Sequence, residues 1–301
     1  MRIAHLILTH AEPAQLARLI SRLKHPDADC YIHLDLKTPI RDFLFLAADK
    51  QVFFVAKREK VKWGAYSIVQ ATVNGFEAIL QSGKEYDYIN LLSGQDYPLM
   101  SAAAIHEYLT IHPGKAFMHT LLVNTEWQEA IPRLTQYHLS AYNIGRKYTI
   151  ERIINSLLPK RKMPDGLIPV GRSQWFTITA KHAAYIVTYL KNNHYVKRFF
   201  KLTWGSDEIV FQTILYNSAF REDIVNNNLR YIDWSEGKPS PATFTIKDAD
   251  RLMNCGKLYA RKFNAKTDSE ILDYLDAVTV TTYGQMLPPG RLSETIAPFK
   301  F

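Results

Sequence analysis

The sequence predicts an α/β fold with a mostly parallel central sheet flanked by helices. Short apolar runs of strand length alternate along the chain with segments whose apolar residues recur at helical spacing. Such alternation is typical of strand–helix–strand units with right-handed crossovers. The first run, Ile3–Leu8, is also almost continuously apolar. A strand with apolar side chains on both faces belongs inside a sheet that is covered on both sides.

Each predicted element follows from its own pattern. In the first part of the chain, strands are predicted at Ile3–Leu8, Cys30–Leu34, Val52–Val55 and Tyr86–Leu92. Between and after them, helices are predicted from Pro13 to Leu23, at Ile40–Ala48, at Tyr66–Leu80 and at Ala102–Leu109. Later, strands are predicted at Gln174–Thr179 and Leu229–Ile232, with helices at Ala180–Lys191, Ser206–Tyr216, Lys247–Met253 and from Asp268 onward. The stretch Thr125–Pro169 lacks a regular period and is predicted to be a loop-rich insertion.

Composition limits the class of protein. With 47% apolar and 22% charged residues in 301, the chain is globular rather than disordered or fibrous. Its net charge of +8 can attract phosphate-bearing ligands, nucleic acid or anionic lipid. The basic residues are dispersed and no nucleic-acid-binding motif occurs, so we expect no nucleic-acid partner.

The expected location follows from cysteine content and apolar runs. Two cysteines and a short apolar start predict a cytoplasmic chain without a signal peptide. No apolar run is long enough to cross a bilayer, so any association with the inner membrane face is expected to be peripheral.

Ligands of open parallel sheets bind beyond the carboxyl ends of the strands. The candidate residues that leave the predicted strands there are Leu8, Thr9, His10, Asp35, Gln95 and Asp96. An aspartate at the end of the second strand suits a ribose hydroxyl or a uracil N–H, although Asp35 could equally cap the following turn. Asp96 likewise could hold a sugar or shape a turn before Tyr97-Pro98. The glycine-rich dinucleotide and P-loop motifs are missing from the sequence.

Two Asp-x-Asp strings raise the question of a metal ion. Asp27-Ala28-Asp29 precedes a strand, at the wrong end of the sheet, and Asp248-Ala249-Asp250 begins a predicted helix. We expect structural roles for both strings and no metal cofactor.

Fixed cations are the alternative partner for a diphosphate. Arg261 and Lys262 lie in the apolar and aromatic strip Leu258–Phe263, so one of them is expected to point inward. Both cations suit phosphate oxygens, and the competing interpretation is a solvated basic edge.

The segment Thr203–Glu208 offers a candidate general base. If Ser206 caps a helix, Asp207 and Glu208 lie in its first turn, where the helix dipole stabilises carboxylates by about 0.3–1 kcal/mol. An ordinary helix start explains the same pattern. As a functional site, it would supply an ionised base for a sugar hydroxyl, with Trp204 offering a flat face to a sugar ring.

Eight segments in order carry a family resemblance. They are AHLILTH, CYIHLDLK, Trp63-Gly64, YDYINLLSGQDYPL, GRSQWF, TWGSDE, Ile232-Asp233-Trp234 and KLYARKF. Together they resemble the core-2/I-branching β-1,6-N-acetylglucosaminyltransferase family, which includes the peptide O-xylosyltransferases, over nearly the whole chain. The resemblance implies a GT-A-type nucleotide-sugar fold without an Asp-x-Asp metal site. It also implies one glycosyltransferase domain, with a nucleotide-binding half at 1–121, a variable insertion at 122–170 and an acceptor and catalytic half at 171–301. Unlike animal members, this chain shows neither a membrane anchor nor a set of cystines.

The resemblance also assigns roles. Glu208 matches the catalytic base, Lys262 with Arg261 beside it matches the diphosphate-binding cation, and Asp35 matches the nucleotide contact. Trp63 aligns with a family aromatic at the nucleotide site, and Lys238 is the expected replacement for an upstream arginine. Contacts to the donor or acceptor sugar are expected from Gln95, Asp96, Gln174, Trp175, Trp204 and Asp207.

The expected reaction is metal-independent, inverting transfer from a UDP-sugar, either N-acetylglucosamine or xylose, to a hydroxyl of a glycan or lipid-linked glycan. A non-catalytic protein that binds glycans or nucleotide sugars is the alternative. A glycoside hydrolase fits poorly, because the adjacent Asp207 and Glu208 would project in different directions from a helix instead of facing each other across a cleft.

Overall fold

The computed structural model describes residues 1–278. Its strands are β1 (Ile3–Thr9), β2 (Ala28–Leu34), β3 (Val52–Phe54), β4 (Tyr88–Ser93), β5 (Asp96–Pro98), β6 (Ala116–Leu122), β7 (Val170–Thr179), β8 (Ile224–Asn226), β9 (Arg230–Ile232) and β10 (Tyr259–Arg261). Its α-helices are α1 (Pro13–Leu23), α2 (Ser67–Leu80), α3 (Ala102–Thr110), α4 (Ile131–Thr135), α5 (Lys147–Leu157), α6 (Ala180–Asn192), α7 (His194–Lys201), α8 (Val210–Tyr216), α9 (Ala249–Met253) and α10 (Glu270–Ala277). Short 3-10 segments include Ile40–Ala48 and Ser206–Glu208.

The central sheet has seven strands in the order β3-β2-β1-β4-β7-β6-β8. β3, β2, β1 and β4 run parallel, β7 runs antiparallel to β4, and β6 runs antiparallel to β7. This arrangement confirms the predicted α/β class with a mostly parallel sheet. Every residue of β2 and β4 is buried, which explains why their sequences do not alternate regularly between apolar and polar residues.

Helices cover both faces of this sheet, and each face has its own apolar core. One core includes apolar side chains of α1, α3 and α10, and the other includes those of α2, α6 and α8. Helix α2 lies close to β1: a Cβ added at Gly75 would be 2.4 Å from Leu6 Cδ1. Glycine at that position therefore permits the helix to pack directly on β1.

A second, three-stranded sheet lies beyond the carboxyl end of β4. Its order is β5-β10-β9, with Arg261 opposite Asp96 in the antiparallel β5–β10 pair. β5 begins three residues after β4 ends, following a turn at Gly94 that packs against Thr9. The small sheet thus carries the Leu258–Phe263 strip to the edge where ligands of parallel sheets bind.

The structure differs from the predicted elements in several places. β5, β6, α7 and β8 were not predicted, and β7 begins at Val170, earlier than expected. The Thr125–Pro169 stretch contains α4 and α5, so it is more helical than the predicted loop-rich insertion. The domain prediction for 279–301 lies outside the described residues, and no helix at 1–278 is long and apolar enough to cross a membrane.

Candidate active site

Glu208 lies at the edge of the central sheet where a ligand is expected. The β4–β7 register pairs Asn90 with Thr177, so the first residues of β7 extend past the carboxyl end of β4. Gly171 in that extension packs on the Glu208 backbone, where an added Cβ would come within 2.2 Å of the Glu208 carbonyl oxygen. The GRSQWF segment therefore packs against the backbone of Glu208, and its glycine permits the close contact.

The local structure at Glu208 differs from the predicted helix start. Ser206–Glu208 forms a 3-10 turn after Gly205, whose φ is +64°, and α8 begins only at Val210. The Ser206 hydroxyl is buried and caps nothing; among described residues it has no hydrogen-bond partner. The prediction that Ser206 caps a continuous helix was therefore wrong, because the left-handed Gly205 turns the chain before the helix starts.

Arg133 of α4 holds the Glu208 side chain. Its Nη1 donates a hydrogen bond of 2.6 Å to Glu208 Oε2, and the Glu208 side chain remains 31% exposed. The guanidinium lies between two indole rings, 4.9 Å from the Trp127 centroid and 4.4 Å from the Trp204 centroid. Sequence reasoning missed Arg133, since it lies in the stretch without a regular period and 75 residues from its partner.

Two further arginines lie within electrostatic range of Glu208. Burial lowers the pKa of Arg172, and the carboxylates of Glu208 and Glu129 oppose that shift. Burial likewise lowers the pKa of Arg261, and the negative charges of Asp96 and, to a smaller extent, Glu208 oppose that shift. Glu208 is therefore a partly exposed anion in a cationic environment, and its charge reaches the Arg261 side chain of the small sheet.

Asp207 has a different environment from its neighbour. It is buried, and among described residues its Oδ1 has no hydrogen-bond partner. Burial, followed by repulsion from Glu208, raises the pKa of Asp207 to about 7. The expected dipole-stabilised anion is therefore not found at Asp207, and the sugar contact predicted for this residue remains a prediction.

Trp63 and Trp204 form an aromatic pair beside this site. Their ring centroids are 5.3 Å apart in an edge-to-face arrangement, and Trp63 is 69% exposed. The two loops approach closely because Gly205 N donates to Gly64 O at 2.9 Å and a Cβ on Gly64 would collide with Trp204. Trp204 lies near Glu208 as expected, and Trp63 joins it there; the nucleotide contact predicted for Trp63 remains a prediction.

Arg261 is the inward-pointing cation of the Leu258–Phe263 strip. Its Nε lies 3.2 Å from Asp96 Oδ1, and its guanidinium covers the Trp175 ring at 4.3 Å. Asp96 has no exposed surface, and its carboxylate also accepts a hydrogen bond from Ser93 N. Asp96 thus has the contacts of the turn-shaping alternative and pairs with Arg261, and its contact with a sugar remains a prediction. Trp175 is buried beneath Arg261, while Gln95 is half-buried in the same turn.

Lys262 takes the more exposed side of the strip. Its Nζ donates to Ser240 Oγ, and burial followed by the Arg261 charge lowers the pKa of Lys262. Lys238 instead forms an exposed ion pair with Glu236 at 3.0 Å. The residue that contacts Lys262 from this loop is therefore Ser240, and the diphosphate role of Lys238 remains a prediction.

The remaining nucleotide-site candidates lie at the ends of β1 and β2. Asp35 is buried and accepts a hydrogen bond of 2.9 Å from Lys37 N, as a turn cap does. Lys37 Nζ lies 3.3 Å from the same carboxylate. Thr9 is buried against the Gly94 turn, and His10 is exposed. Leu8 and Gln174 are half-buried in β1 and β7, and ligand contacts by these residues remain predictions.

The Asp-x-Asp strings do not lie at this site. Asp29 accepts hydrogen bonds from Lys84 and Tyr86 in the amino-terminal part of β2, away from the carboxyl edge. Asp248 accepts a hydrogen bond from Thr245 N at the start of α9. Within residues 1–278, no group of three or more His, Cys, Asp or Glu side chains has an arrangement suited to a metal ion.

The chain is similar to xylosyltransferases of other organisms. Xylosyltransferase 2 of Rattus norvegicus is 25% identical over 96% of this chain, and a xylosyltransferase of Ciona intestinalis is 24% identical over 96%. Xylosyltransferase 1 of Rattus norvegicus is 24% identical over 97%. The chain spans about a third of the length of these relatives, at 34%, 35% and 37% respectively.

A family model extends this similarity over most of the chain. The model described as Core-2/I-Branching enzyme matches residues 3–252, which extend from β1 into α9 and include Glu208. Because the match covers far more than half of the sequence, the chain belongs to the Core-2/I-branching enzyme family.

Proposed function

We propose that this chain is a metal-independent, inverting glycosyltransferase that moves a sugar from a UDP-sugar to an acceptor hydroxyl. The observation that carries the proposal is the position of Glu208: a partly exposed carboxylate, held by Arg133, at the sheet edge within electrostatic range of Arg261. Family membership and the xylosyltransferase relatives support the class of reaction.

Glu208 acts as general base. Its carboxylate takes the proton from the acceptor hydroxyl while that oxygen forms a bond to the anomeric carbon of the donor sugar. The bond from that carbon to the diphosphate breaks on the opposite face, and UDP leaves with the electron pair, so the configuration inverts. Base catalysis by a positioned side chain contributes about 10²–10⁴ in rate.

The departing diphosphate gains negative charge, which Lys262 and Arg261 stabilise. Lys262 supplies a partly exposed ammonium that can bind phosphate oxygens. Arg261 supplies a buried charge fixed by Asp96 and Trp175, and a preorganised charge in a low-dielectric site acts more strongly than one in water. Asp35, Trp63 and the end of β1 are assigned to the nucleotide, and Trp204 and Gln174 to the sugars.

The xylosyltransferase relatives and the family indicate which donors and acceptors to test. UDP-xylose and UDP-N-acetylglucosamine are the donors to test first, and a glycan or lipid-linked glycan is the proposed acceptor class. No cofactor is required in this proposal, so activity is expected to persist in excess EDTA. An absolute requirement for Mn²⁺ or Mg²⁺ would contradict the role given to the two cations.

The decisive experiment compares the wild type with Glu208→Gln and a matched control, Glu107→Gln on the exposed side of α3. A screen of UDP-sugars for UDP release identifies the donor, and calorimetry measures UDP binding. Glu208→Gln is expected to bind UDP normally and to lose about 10²–10⁴ in turnover, while Glu107→Gln keeps both properties. Wild-type turnover in Glu208→Gln would refute the assignment. UDP binding without turnover of any donor by the wild type would favour the non-catalytic alternative.

A further inference from the structure

Helix α5 leaves one side of its apolar stripe exposed, at Ile153 and Leu157, while Ile150 and Ile154 are half-buried. Ile150, Ile153, Ile154 and Leu157 follow the i, i+3, i+4, i+7 spacing of an amphipathic helix, a pattern that normally faces a core. No residue of α5 is buried, and neither apolar core of the described residues includes this stripe. Ile153 is 50% exposed and Leu157 is 77% exposed.

The polar side of α5 holds the helix to the protein. The Glu151 carboxylate accepts a hydrogen bond of 2.6 Å from Leu139 N. The Asn155 side chain accepts from Tyr137 N at 2.7 Å and donates to Tyr137 O at 3.0 Å. At about 100° per residue, the mean direction of Glu151 and Asn155 is nearly opposite that of Ile153 and Leu157. Specific hydrogen bonds therefore fix the side of α5 that faces the protein, and this orientation leaves Ile153 and Leu157 exposed.

Further exposed apolar and basic side chains flank the stripe. We define the outward face of α5 as the exposed apolar residues of this helix and the residue after it, namely Tyr148, Ile153, Leu157 and Leu158. The flanking segments expose further apolar side chains at Tyr142, Ile144 and Ile168. Residues 142–168 carry six basic and two acidic side chains, half of the chain's net charge of +8 in less than a tenth of its length. Lys160 and Lys162 of this segment are exposed.

Helix α7 adds basic residues next to this segment. The Arg161 guanidinium donates to the carbonyls of Phe199 and Leu202 at the carboxyl end of α7. The last turn of α7 carries Arg198 and Lys201. The Lys160–Lys162 run and the end of α7 therefore lie side by side.

We propose that the outward face of α5 docks onto an anionic lipid bilayer. A helix with an apolar stripe bordered by Lys and Arg binds in the plane of a membrane interface, and each cation near an anionic surface adds to the affinity. A second copy of this chain is the poorer occupant, because a symmetric contact would oppose two surfaces with the same positive charge.

Docking in this way would place the candidate active site near the membrane. α4 carries Arg133, which binds Glu208, and Arg161 N donates to Thr135 O at the end of the same helix. The chain between the site and the outward face of α5 is therefore short and tied by hydrogen bonds. If the acceptor is lipid-linked, a condition that rests on the proposed function, its reacting hydroxyl would reach the active site from the membrane on which α5 docks.

Vesicle flotation tests the docking without any assay of activity. The probes are vesicles of phosphatidylcholine alone and of phosphatidylcholine with phosphatidylglycerol, at roughly 0.15 M salt. The wild type is expected to float with the anionic vesicles only. Ile153→Ser/Leu157→Ser is expected to bind them at least about tenfold more weakly, and Lys160→Glu/Lys162→Glu also about tenfold or more. Amide hydrogen exchange of residues 147–157 is expected to slow on anionic vesicles.

The matched control is Ile111→Ser, which removes an exposed apolar side chain at the end of α3. It is expected to bind like the wild type, and thermal melts check that all variants fold. Failure of the wild type to float with anionic vesicles would overturn the proposal, as would undiminished binding by Ile153→Ser/Leu157→Ser. A wild-type dimer that this double variant converts to a monomer, without vesicle binding, would assign the face to a second copy instead. Vesicle binding with no glycosyl transfer would leave the docking standing and count against the proposed function alone.

Discussion

Replacing Arg133 with methionine removes the guanidinium that holds Glu208 and keeps an unbranched side chain between the two indole rings. In the wild type, the Arg133–Glu208 hydrogen bond is 2.6 Å long and the two side chains are 20% and 31% exposed. The variant leaves the carboxylate free to rotate, so we expect Arg133 to be a positioning residue for the base.

The expected magnitudes follow from this geometry. The ion pair is intermediate between exposed pairs, worth about 0–1 kcal/mol, and buried pairs, whose disruption costs about 3–5 kcal/mol. Loss of the cation–π contacts with the buried Trp127 and the half-buried Trp204 adds about 1 kcal/mol. We therefore expect Arg133→Met to be destabilised by about 2–3 kcal/mol. Misplacement of a catalytic group by about 1 Å costs up to about 10²-fold in rate, so kcat is expected to fall about 10- to 100-fold.

Steady-state kinetics on the donor identified by the UDP-sugar screen separate positioning from general damage. We expect the loss in kcat with little change in UDP affinity, and partial recovery in Arg133→Lys, which restores a charge without the planar guanidinium. The matched control is Arg18→Met, which breaks ion pairs of 2.7 Å between α1 and α10. It is expected to lose stability and keep kcat. An unchanged kcat in Arg133→Met, or equal losses in kcat and UDP affinity in both variants, would refute the positioning role.

Three other changes test the same site. The pKa of Asp207 is raised to about 7 in the folded protein. Between about pH 4 and 7 the folded chain therefore keeps a proton on this carboxyl that the unfolded chain has lost, so the free energy of unfolding falls as the pH rises through this range. Urea unfolding should therefore find Asp207→Asn more stable than the wild type above pH 7, by at most about 4 kcal/mol, and similar near pH 4; equal stability at pH 8 would contradict the buried acid. Gly171→Ala places a Cβ 2.2 Å from the Glu208 carbonyl and should lower both melting temperature and kcat, whereas Gly145→Ala, with open space around it, should change neither. Lys262→Ala should raise the KM for the UDP-sugar about tenfold, with a smaller effect in Lys262→Arg, and an unchanged KM would remove Lys262 from the diphosphate site.

Local patterns predicted the elements that build the sheet and its two layers. β1, β2, β4 and α2 lie within a few residues of their predicted bounds, because apolar periodicity depends on side chains a few positions apart. The strip Leu258–Phe263 also has the expected division, with Arg261 inward and Lys262 on the exposed side. β6 was missed although Ala116–Met118 is a buried apolar run, a signal that could have revealed it.

Other features could not be found from local patterns. α5 has a helical period, yet it escaped prediction inside a stretch judged irregular, and its outward orientation depends on the bonds of Glu151 and Asn155 to the segment at 137–139. The turn at Ser206 resembles a capped helix in sequence, while the positive φ of Gly205 separates the turn from α8. Neighbouring residues alone do not distinguish these alternatives, because both conformations satisfy the same short-range preferences.

The sequence alone determined the alternation of strands and helices, the carboxyl edge where their polar residues collect, and the carboxylate and cations carried there. Tertiary structure decided which of those groups meet: Arg133 with Glu208 across 75 positions, and Arg261 with Asp96 through the β5–β10 register. It also decided that Glu208 stays partly exposed while its neighbour Asp207 is buried. Periodicity depends on residues that are near one another in the sequence, whereas ion pairing and desolvation depend on which distant segments pack together. Only the folded chain fixes that packing.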